Sequence, residues 1–577
     1  MENGIKLRDY QERIIEKAIK ALDSGHSVVI NAPTGTGKTM MALEVLRRLE
    51  KTGWIYVRTI SQYSSWERDA RKLSLSFTGL MRKGEFCKVL KKPYILYCSQ
   101  CDKEVDVDHV RVHKKFVERR YINPICYDHN ALDRFSAYCP FRLERVAREL
   151  EDEDAPEFIS EVVGKMNELL NTLGIKSTAN WFRDNKVSFR GSNYDVCIYK
   201  LIEGKANIRI YSYIYFFLGI RRPENDDNDS IIIFDEAHNL DDFNINSVTI
   251  TLKEVLGFFS RIEGIKQEQV QEAFIKFVQD PEGGFEFMNL LVQANEELAR
   301  KFSTIMQAWK EQEKWYIERD TAMWSYIKAM PADPAIWLSR LNNYRYILLS
   351  GTMPSGDYLR TVWGLTNFEY INAMYLWSST SLKDHFKGAR VFIEDSIYYI
   401  KDKRPEYRRQ VAEIIKQYSA KEGLNLVIVP SYNELEAYRS LFPNAFFEDL
   451  RPDVLDRVKK LPNGFIIFAV AGGKLSEGIE VLDSNGRSRI SAVFIIGLPL
   501  PEYKDPYLDK VIEVVSKRVG RNPESFKWVV LYEKAVIKVK QAIGRAIRGP
   551  HDSANIYLID KRFGYKNVMK LMNLEVA

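Results

Sequence analysis

The stretch NAPTGTGKTM, Asn31 to Met40, sets glycines directly before a lysine and a threonine. Residues of these types suit a phosphate. Backbone amides around Thr34, Gly35, Thr36 and Gly37 can converge on its oxygens, and a helix starting there adds partial positive charge. Lys38 then reaches the β and γ oxygens, and Thr39 offers its hydroxyl to magnesium. Ala32 stands where the usual first glycine would, giving the form A-x-x-G-x-G-K-T. The bland alternative is a glycine-rich turn with a chance lysine, and a strand before the loop with a helix after it argues against that. The stretch Asp235-Glu236-Ala237-His238 supplies what the loop lacks. Asp235 follows the apolar run Ile231 to Phe234 and can hold the metal, directly or through water. Glu236 can orient or deprotonate a water for attack on the γ-phosphate. Two acids capping a strand are common in themselves; beside a phosphate loop they acquire a task. In QAIGRAIRGP, Gln541, Arg545 and Arg548 share a face if a helix runs through them. The arginines there could act as fingers on transition-state phosphates. A solvated basic face is the commoner fate of that spacing, but these residues close a second α/β pattern that has no other visible catalytic group.

Five of the six cysteines lie between residues 80 and 150. Cys87, Cys98, Cys101 and Cys139 form C-x10-C-x2-C-x37-C. Four thiolates brought together in a reducing compartment bind a soft metal or an iron–sulfur cluster. Zinc sites usually come as two close pairs, and only one close pair exists here. Cys126 is a fifth cysteine in the segment, read as a spare thiol, although it could replace one of the four. Cys197 is expected to be a small core residue. His109, His113 and His129 are given no metal role. The same segment holds RVHKKFVERR, Arg111 to Arg120, in which Lys114, Lys115, Phe116 and Arg119 mix cations with an aromatic ring. That mixture suits single-stranded DNA, and a solvated helix face is the competing reading.

These groups need elements to hold them. DYQERIIEKAIKAL has helical apolar spacing, SVVINAP reads as a buried strand, TMMALEVLRRLE as a helix and GWIYVRT as the next strand. This order predicts a parallel sheet with crossover helices. Between 250 and 330 the pattern is helical, with a stripe of Phe287, Leu291, Ala294, Leu298, Phe302, Ile305 and Trp309. YRYILLSGTMP returns to a strand, and LNLVIVPSY, NGFIIFAVAGGK, SAVFIIGLP and NIYLIDKRF make a second α/β pattern. The expectation is an α/β protein of two parallel-sheet domains, the first carrying a cysteine-rich insert and a helical insert. Its boundaries are 1–80, 151–248 and 329–375 for the first domain, 81–150 for the cysteine segment, 249–328 for the helical insert and 376–577 for the second domain.

The bulk numbers fit this frame. At 577 residues the chain exceeds a single core. A net charge of +6 from 84 basic and 78 acidic side chains is nearly neutral, so any basic surface must be local. The start, MENGIKLRDYQERIIEK, lacks the apolar core of a signal peptide. The apolar run Ile208 to Ile220 is shorter than the roughly 20 residues a membrane helix needs. Six cysteines are too few for a disulfide scaffold. A reduced, cytoplasmic protein without a membrane partner is expected.

Taken together, LRDYQ, APTGTGKT, VRT, the cysteine cluster, DEAHNL, LLSGTMP, VPSY, GKLSEGIE, QAIGRAIR and LIDKRF resemble, in order, the XPD/DinG family of superfamily-2 DNA helicases, its archaeal XPD-type members above all. The resemblance implies two RecA-like domains, an arch-like helical insert and a [4Fe–4S] cluster whose last ligand lies in YCPF. It implies that Arg8 and Gln11 read adenine, that Arg58 and Thr59 grip DNA phosphates, and that Ser350, Gly351 and Thr352 couple hydrolysis to DNA. It implies further that Gly478 and Glu480 face the nucleotide and that Ser431 and Tyr432 face DNA. The expected function is an ATP- and magnesium-dependent DNA helicase, acting as a monomer on single-stranded and forked DNA in repair. The 5′ to 3′ direction, and a nucleoid-associated location if the source is archaeal, come from the resemblance alone. A DNA-stimulated ATPase that clamps or scans DNA is the alternative. An RNA helicase is a third, disfavoured by the cysteine insert.

Overall fold

The computed structural model describes residues 6–81, 86, 94–98, 103–105, 117–121, 143–151, 153–199, 202, 206–224, 227–241, 247–259, 266–282, 296–321, 325–376, 378–449, 451, 453–478 and 481–573. The chain divides into two compact units. The larger comprises Met1–Val45, Asn225–Asn228 and Ile233–Ala577; the smaller comprises Leu46–Glu224 and Asp229–Ile232.

In the larger unit, the strand Ser27–Asn31 is wholly buried, as its run of Val and Ile predicts for a strand covered on both faces. It pairs in parallel with Tyr346–Ser350 on one side and Phe368–Asn372 on the other, with Asn31 level with both Ser350 and Asn372. Ser230–Asp235 follows Tyr346–Ser350 in the sheet order. The carboxyl ends of these strands therefore gather the phosphate loop, the SGT stretch and the DEAH acids at one edge. We call this sheet and its helices the first lobe.

The second lobe, in the same unit, is built on a six-stranded parallel sheet. Its order is Ala389–Glu394, Ala554–Ile559, Ile490–Ile496, Leu424–Val429, Ile466–Val470 and Phe446–Phe447. The period of two splits each central strand between two cores. Leu424, Leu426 and Ile428 pack into one core with Val539, Ala542 and Ile543. Val427 and Val429 pack into the other with Val411, Ile415 and Tyr438.

The segment expected to be helical is mixed. The helices Leu252–Phe259, Gln267–Gln279 and Glu296–Lys310 accompany an antiparallel sheet of Val248–Thr251, Tyr326–Pro331 and Trp315–Asp320. Leu298, Phe302 and Ile305 of the apolar stripe are buried in its core. Trp309 is half-buried beneath the Arg319 guanidinium, 5.1 Å from the ring centre. Phe287, Leu291 and Ala294 lie outside the described residues. The strands were missed because their stabilisation is cross-strand. Glu318 faces Lys328 in register and accepts a hydrogen bond from Tyr326 at 2.7 Å, pairs that no single-segment periodicity reports.

The smaller unit holds Thr52–Val57, Ile208–Ser212 and Phe77–Leu80 in parallel. The apolar run from Ile208 turns out to be one of these strands followed by the short helix Tyr213–Phe217. Among the described residues no helix is long and apolar enough to cross a membrane. A small antiparallel sheet of Tyr94–Cys98, Lys103–Val105 and Val117–Tyr121 lies in the cysteine segment, with Cys98 level with Lys103 and Val117. Cys197 is half-buried between the buried Val196 and Ile198, less enclosed than expected of a core residue.

Candidate active site

The phosphate loop leaves its strand tied down, since the Ala32 amide donates to Ser350 O at 2.9 Å. Gly35 and Gly37 take φ of +80° and +84°, which glycine reaches without the Cβ clash of other residues. The helix Lys38–Leu49 starts at once, so its free amides open toward the loop. Lys38 Nζ donates to Pro33 O at 3.4 Å, and Thr36 Oγ1 donates to the same carbonyl at 2.7 Å. The strand–loop–helix order thus curls the backbone around the lysine, and Thr39 sits one residue inside the helix.

Gln11 does something the sequence did not indicate. It sits in the first turn of the helix Asp9–Asp23, where its Oε1 accepts the Arg8 amide at 2.9 Å. Its Nε2 donates to Thr36 O at 2.8 Å, and the hydroxyl of buried Tyr10 donates to that oxygen at 3.3 Å. A Cβ on Gly37 would lie 2.5 Å from Gln11 Nε2. Gly37→Ala would therefore both strain a left-handed backbone and displace Gln11. At about 1–3 kcal/mol of strain, the variant should bind ATP roughly tenfold more weakly. Titration with a fluorescent ATP analogue checks this, and parental affinity would refute it.

Asp235 is buried at its strand end, and its Oδ1 accepts the Glu236 amide at 3.0 Å. Glu236 adopts φ 53° and ψ 42°, a left-handed conformation that costs a residue with a Cβ about 1–2 kcal/mol. Such strain, held between a buried carboxylate and the turn Ala237–Asn239, is typical of a residue aimed for chemistry. Among the described residues, no group of three or more His, Cys, Asp or Glu side chains could hold a metal by itself. Magnesium bound with a nucleotide does not need one, because phosphate oxygens and water supply most of its ligands.

His238, to which the sequence gave no task, joins the lobes. Its Nε2 receives the amide nitrogens of Gln541 at 2.8 Å and Asn239 at 2.9 Å. Both are donors, so Nε2 accepts and Nδ1 carries the proton. Nδ1 then donates to Ser350 Oγ at 2.7 Å, and Ser350 Oγ accepts the Thr352 amide at 2.9 Å. A hydrogen-bonded line therefore runs from the second lobe through the DEAH turn to the SGT stretch. The signal was available, because a histidine two residues after the acids must lie at the same strand end. Its partners were not.

The helix Pro523–Ala546 carries Gln541 and Arg545. Between them, Gly544 lies against the phosphate loop, where an added Cβ would be 3.3 Å from Thr34 Oγ1. Gly351 approaches from the first lobe, where a Cβ would lie 3.5 Å from Lys38 Nζ. Arg545 Nε donates at 3.2 Å to Ser476 O, in the helix Lys474–Gly478 that ends at Gly478. Glu480 lies outside the described residues. The expected common helical face of Gln541, Arg545 and Arg548 holds only in part. The helix ends at Ala546, Ile547 is extended, and Arg548 follows it with its amide donated to Asp552 at 2.8 Å. The Gly549-Pro550 pair that follows is the sequence signal for that ending.

The same helix and strand ends border a cavity of about 530 Å³, reached by Pro33, Thr34, Gly351, Glu533, Lys540 and Gly544 among others. Both Glu533 carboxylate oxygens lie 3.3 Å from the Ser355 amide, which donates to them, while burial pushes the carboxyl above its usual range. Burial pushes the Lys540 amine down to about 8.

The other candidate residues are placed less decisively. Arg58 and Thr59 are exposed at the end of Thr52–Val57, in the smaller unit. Thr59 caps the turn Ile60–Gln62, its amide donating to Gln62 Oε1 at 2.9 Å. Ser431 caps the helix Tyr432–Tyr438 by accepting the Glu434 amide at 3.3 Å, and Tyr432 is exposed. Cys98 ends its strand and Arg119 lies in Val117–Tyr121. Cys87, Cys101, Cys126, Cys139, Lys114, Lys115 and Phe116 lie outside the described residues, as do His109, His113 and His129.

Three family descriptions match the chain. They are "Type III restriction enzyme, res subunit" over residues 4–86, "DEAD_2" over 109–256 and "Helicase C-terminal domain" over 411–576. The chain is 26% identical over 620 aligned positions to "ATP-dependent DNA helicase XPD" of Sulfolobus acidocaldarius, covering 99% of each chain. It is 30% identical over 182 residues to "ATP-dependent DNA helicase CHL1" of Yarrowia lipolytica, across 29% of this chain and 21% of that one. A solved structure named "XPD_Helicase" superposes with a TM-score of 0.63 at 21% identity, over 99% of this chain and 98% of the other. That likeness establishes the fold as α/β with two RecA-like sheets.

Proposed function

We propose that the chain, 26% identical along its length to an XPD helicase and matched by the helicase family descriptions above, is an ATP-dependent DNA helicase of the XPD type, and that its ATP is held and cleaved where the phosphate loop meets the helix Pro523–Ala546. The observation that carries this is the hydrogen-bonded line Gln541–His238–Ser350. It gives the second lobe a direct stake in the strand end that bears Asp235 and Glu236.

The chemistry follows from the residues. Backbone amides of Thr34 to Thr39 and the ammonium of Lys38 bind the β and γ oxygens. Thr39 and Asp235 would hold magnesium, which would neutralise phosphate charge. Glu236, aimed by its left-handed backbone, orients the attacking water and takes its proton. Gln541 aligns with the γ-phosphate, and Arg545 and Arg548 stabilise charge on the transferring group. Arg8 and Gln11 border the base, and Gly478 and Glu480 the second lobe's side of the nucleotide. A triphosphate contacted from both lobes favours their closed arrangement, and its loss removes that preference. Hydrolysis is thereby coupled to relative movement of two DNA grips, with Ser350, Gly351 and Thr352 as the link.

DNA contacts we assign to Arg58, Thr59, Lys114, Lys115, Phe116 and Arg119 of the smaller unit and, separately, to Ser431 and Tyr432 of the larger one. Thr59 and Ser431 each fix the start of the turn or helix that follows, and Thr59 and Tyr432 are exposed. Cys87, Cys98, Cys101 and Cys139 are proposed to hold a [4Fe–4S] cluster, which would stiffen the 81–150 segment. The donor chemistry supports this reading: four soft thiolates, one close pair, and a strand ending at Cys98 just before Cys101. Movement is proposed to run 5′ to 3′, by a monomer working on forked DNA in repair.

Strand separation on forks with a 5′ or a 3′ single-stranded tail tests the reading. Unwinding of the 5′-tailed fork, dependent on ATP and magnesium, is expected. DNA-stimulated ATP hydrolysis with neither fork opened would instead identify a clamping or scanning ATPase.

A further inference from the structure

Cleaving ATP between two lobes requires that they already stand in register, and the structure holds them with side chains other than those assigned to the nucleotide. The helix Pro506–Val519 of the second lobe ends at Gly520, whose φ of +67° turns the chain sharply. That turn sets Arg518 and Arg521 side by side against the first lobe. Arg518 Nε donates to Asp333 Oδ2 at 2.6 Å, and its Nη2 donates to Asp333 Oδ1 at 3.0 Å, Thr361 O at 2.8 Å and Val362 O at 3.3 Å. Arg521 forks onto Asp357, with both N–H···O distances at 2.9 Å. Tyr507, at the start of the same helix, donates to Pro331 O at 3.0 Å.

Two-pronged arginine–carboxylate pairs fix direction as well as distance, which a lysine in the same place would not. Asp333 is itself held, since its Oδ1 accepts the Ala335 amide at 3.0 Å. Asp357 lies on the helix Gly356–Thr361, which begins five residues after Gly351. The contact thus grips the first lobe at the base of the same loop that reaches Lys38. We propose that Arg518 and Arg521 are positioning residues, a clasp that holds the second lobe in register so that Gly544 and Arg545 meet the phosphate loop before any phosphate contact is made. This rests on the reading of the seam as the ATP site.

A clasp of this kind raises the fraction of molecules competent to bind nucleotide, and the apparent dissociation constant varies inversely with that fraction. Arg521→Asp or Asp357→Arg should therefore weaken binding of a fluorescent non-hydrolysable ATP analogue about tenfold. The KM for ATP should rise in step, while kcat at saturating ATP stays near the parent's. The exchanged pair Arg521→Asp with Asp357→Arg should bring the dissociation constant back toward the parent's, which recovery of folding alone would not do selectively. Arg518→Gln, which loses the charged fork but keeps a polar side chain, should act in the same direction. Single variants that bind the analogue like the parent, an exchanged pair that shows no recovery, or a loss confined to kcat would each overturn the clasp. A parent chain that fails to bind the analogue would overturn the nucleotide reading itself, and that result appears before any variant is made.

Discussion

Lys38→Ala loses ATP hydrolysis, with kcat lowered on the order of 10²–10³-fold or more, as for removal of one preorganised donor to transition-state charge. Binding of single-stranded DNA should be little changed. The reasons are structural. The lysine ammonium rests on the Pro33 carbonyl at 3.4 Å, inside the loop that the helix start completes, so little of the fold depends on it. Its loss removes positive charge at the phosphates and leaves the DNA candidates Arg58, Ser431 and Tyr432 as they are. Steady-state hydrolysis with and without DNA, beside a fluorescence anisotropy titration, measures both halves. Full turnover in the variant would remove the phosphate-loop assignment and the mechanism built on it. Equal loss of DNA binding would show that the lysine serves the DNA surface or the fold instead.

Cys101→Ser should abolish most unwinding while sparing ATP hydrolysis. A split of about tenfold between the two activities would mark a residue needed for strand separation and not for the chemical step. The cysteine segment belongs to a different compact unit from Lys38, Asp235 and Gln541, and none of its residues is assigned a part in holding the phosphates. Serine offers a hard hydroxyl in place of a soft thiolate, and iron content should fall with unwinding. Protein purified without oxygen should be yellow-brown and contain iron. A colourless parent holding one zinc ion would replace the cluster with a zinc site. Equal loss of both activities would assign the segment a general folding role.

How far the sequence could carry the argument depended on whether a feature was local. SVVINAPTGTGKT was legible because a buried strand, a loop needing positive φ and a helix start each leave a mark within a few residues. The central strands of the second lobe were legible for the same reason, being continuous apolar runs. Trp315–Asp320 and Tyr326–Pro331 were not, because their stability comes from partners across the sheet, Glu318 with Lys328 and Tyr326. Arg548 was placed on a helix by a spacing that the chain abandons after Ala546.

By itself, then, the sequence determined that a phosphate loop follows a buried strand, that paired acids end a second strand, and that two parallel-sheet patterns share the chain. These depend on backbone conformation and hydrophobic period, which neighbouring residues dictate. Only the tertiary structure decided that His238 bridges Gln541 to Ser350, that Gln11 spends its amide on Thr36, and that Arg518 and Arg521 grip Asp333 and Asp357. Those pairings join residues from tens to hundreds of positions apart, and a hydrogen bond is directional over about 3 Å, so nothing short of the packed fold could select one partner among the many that composition allows.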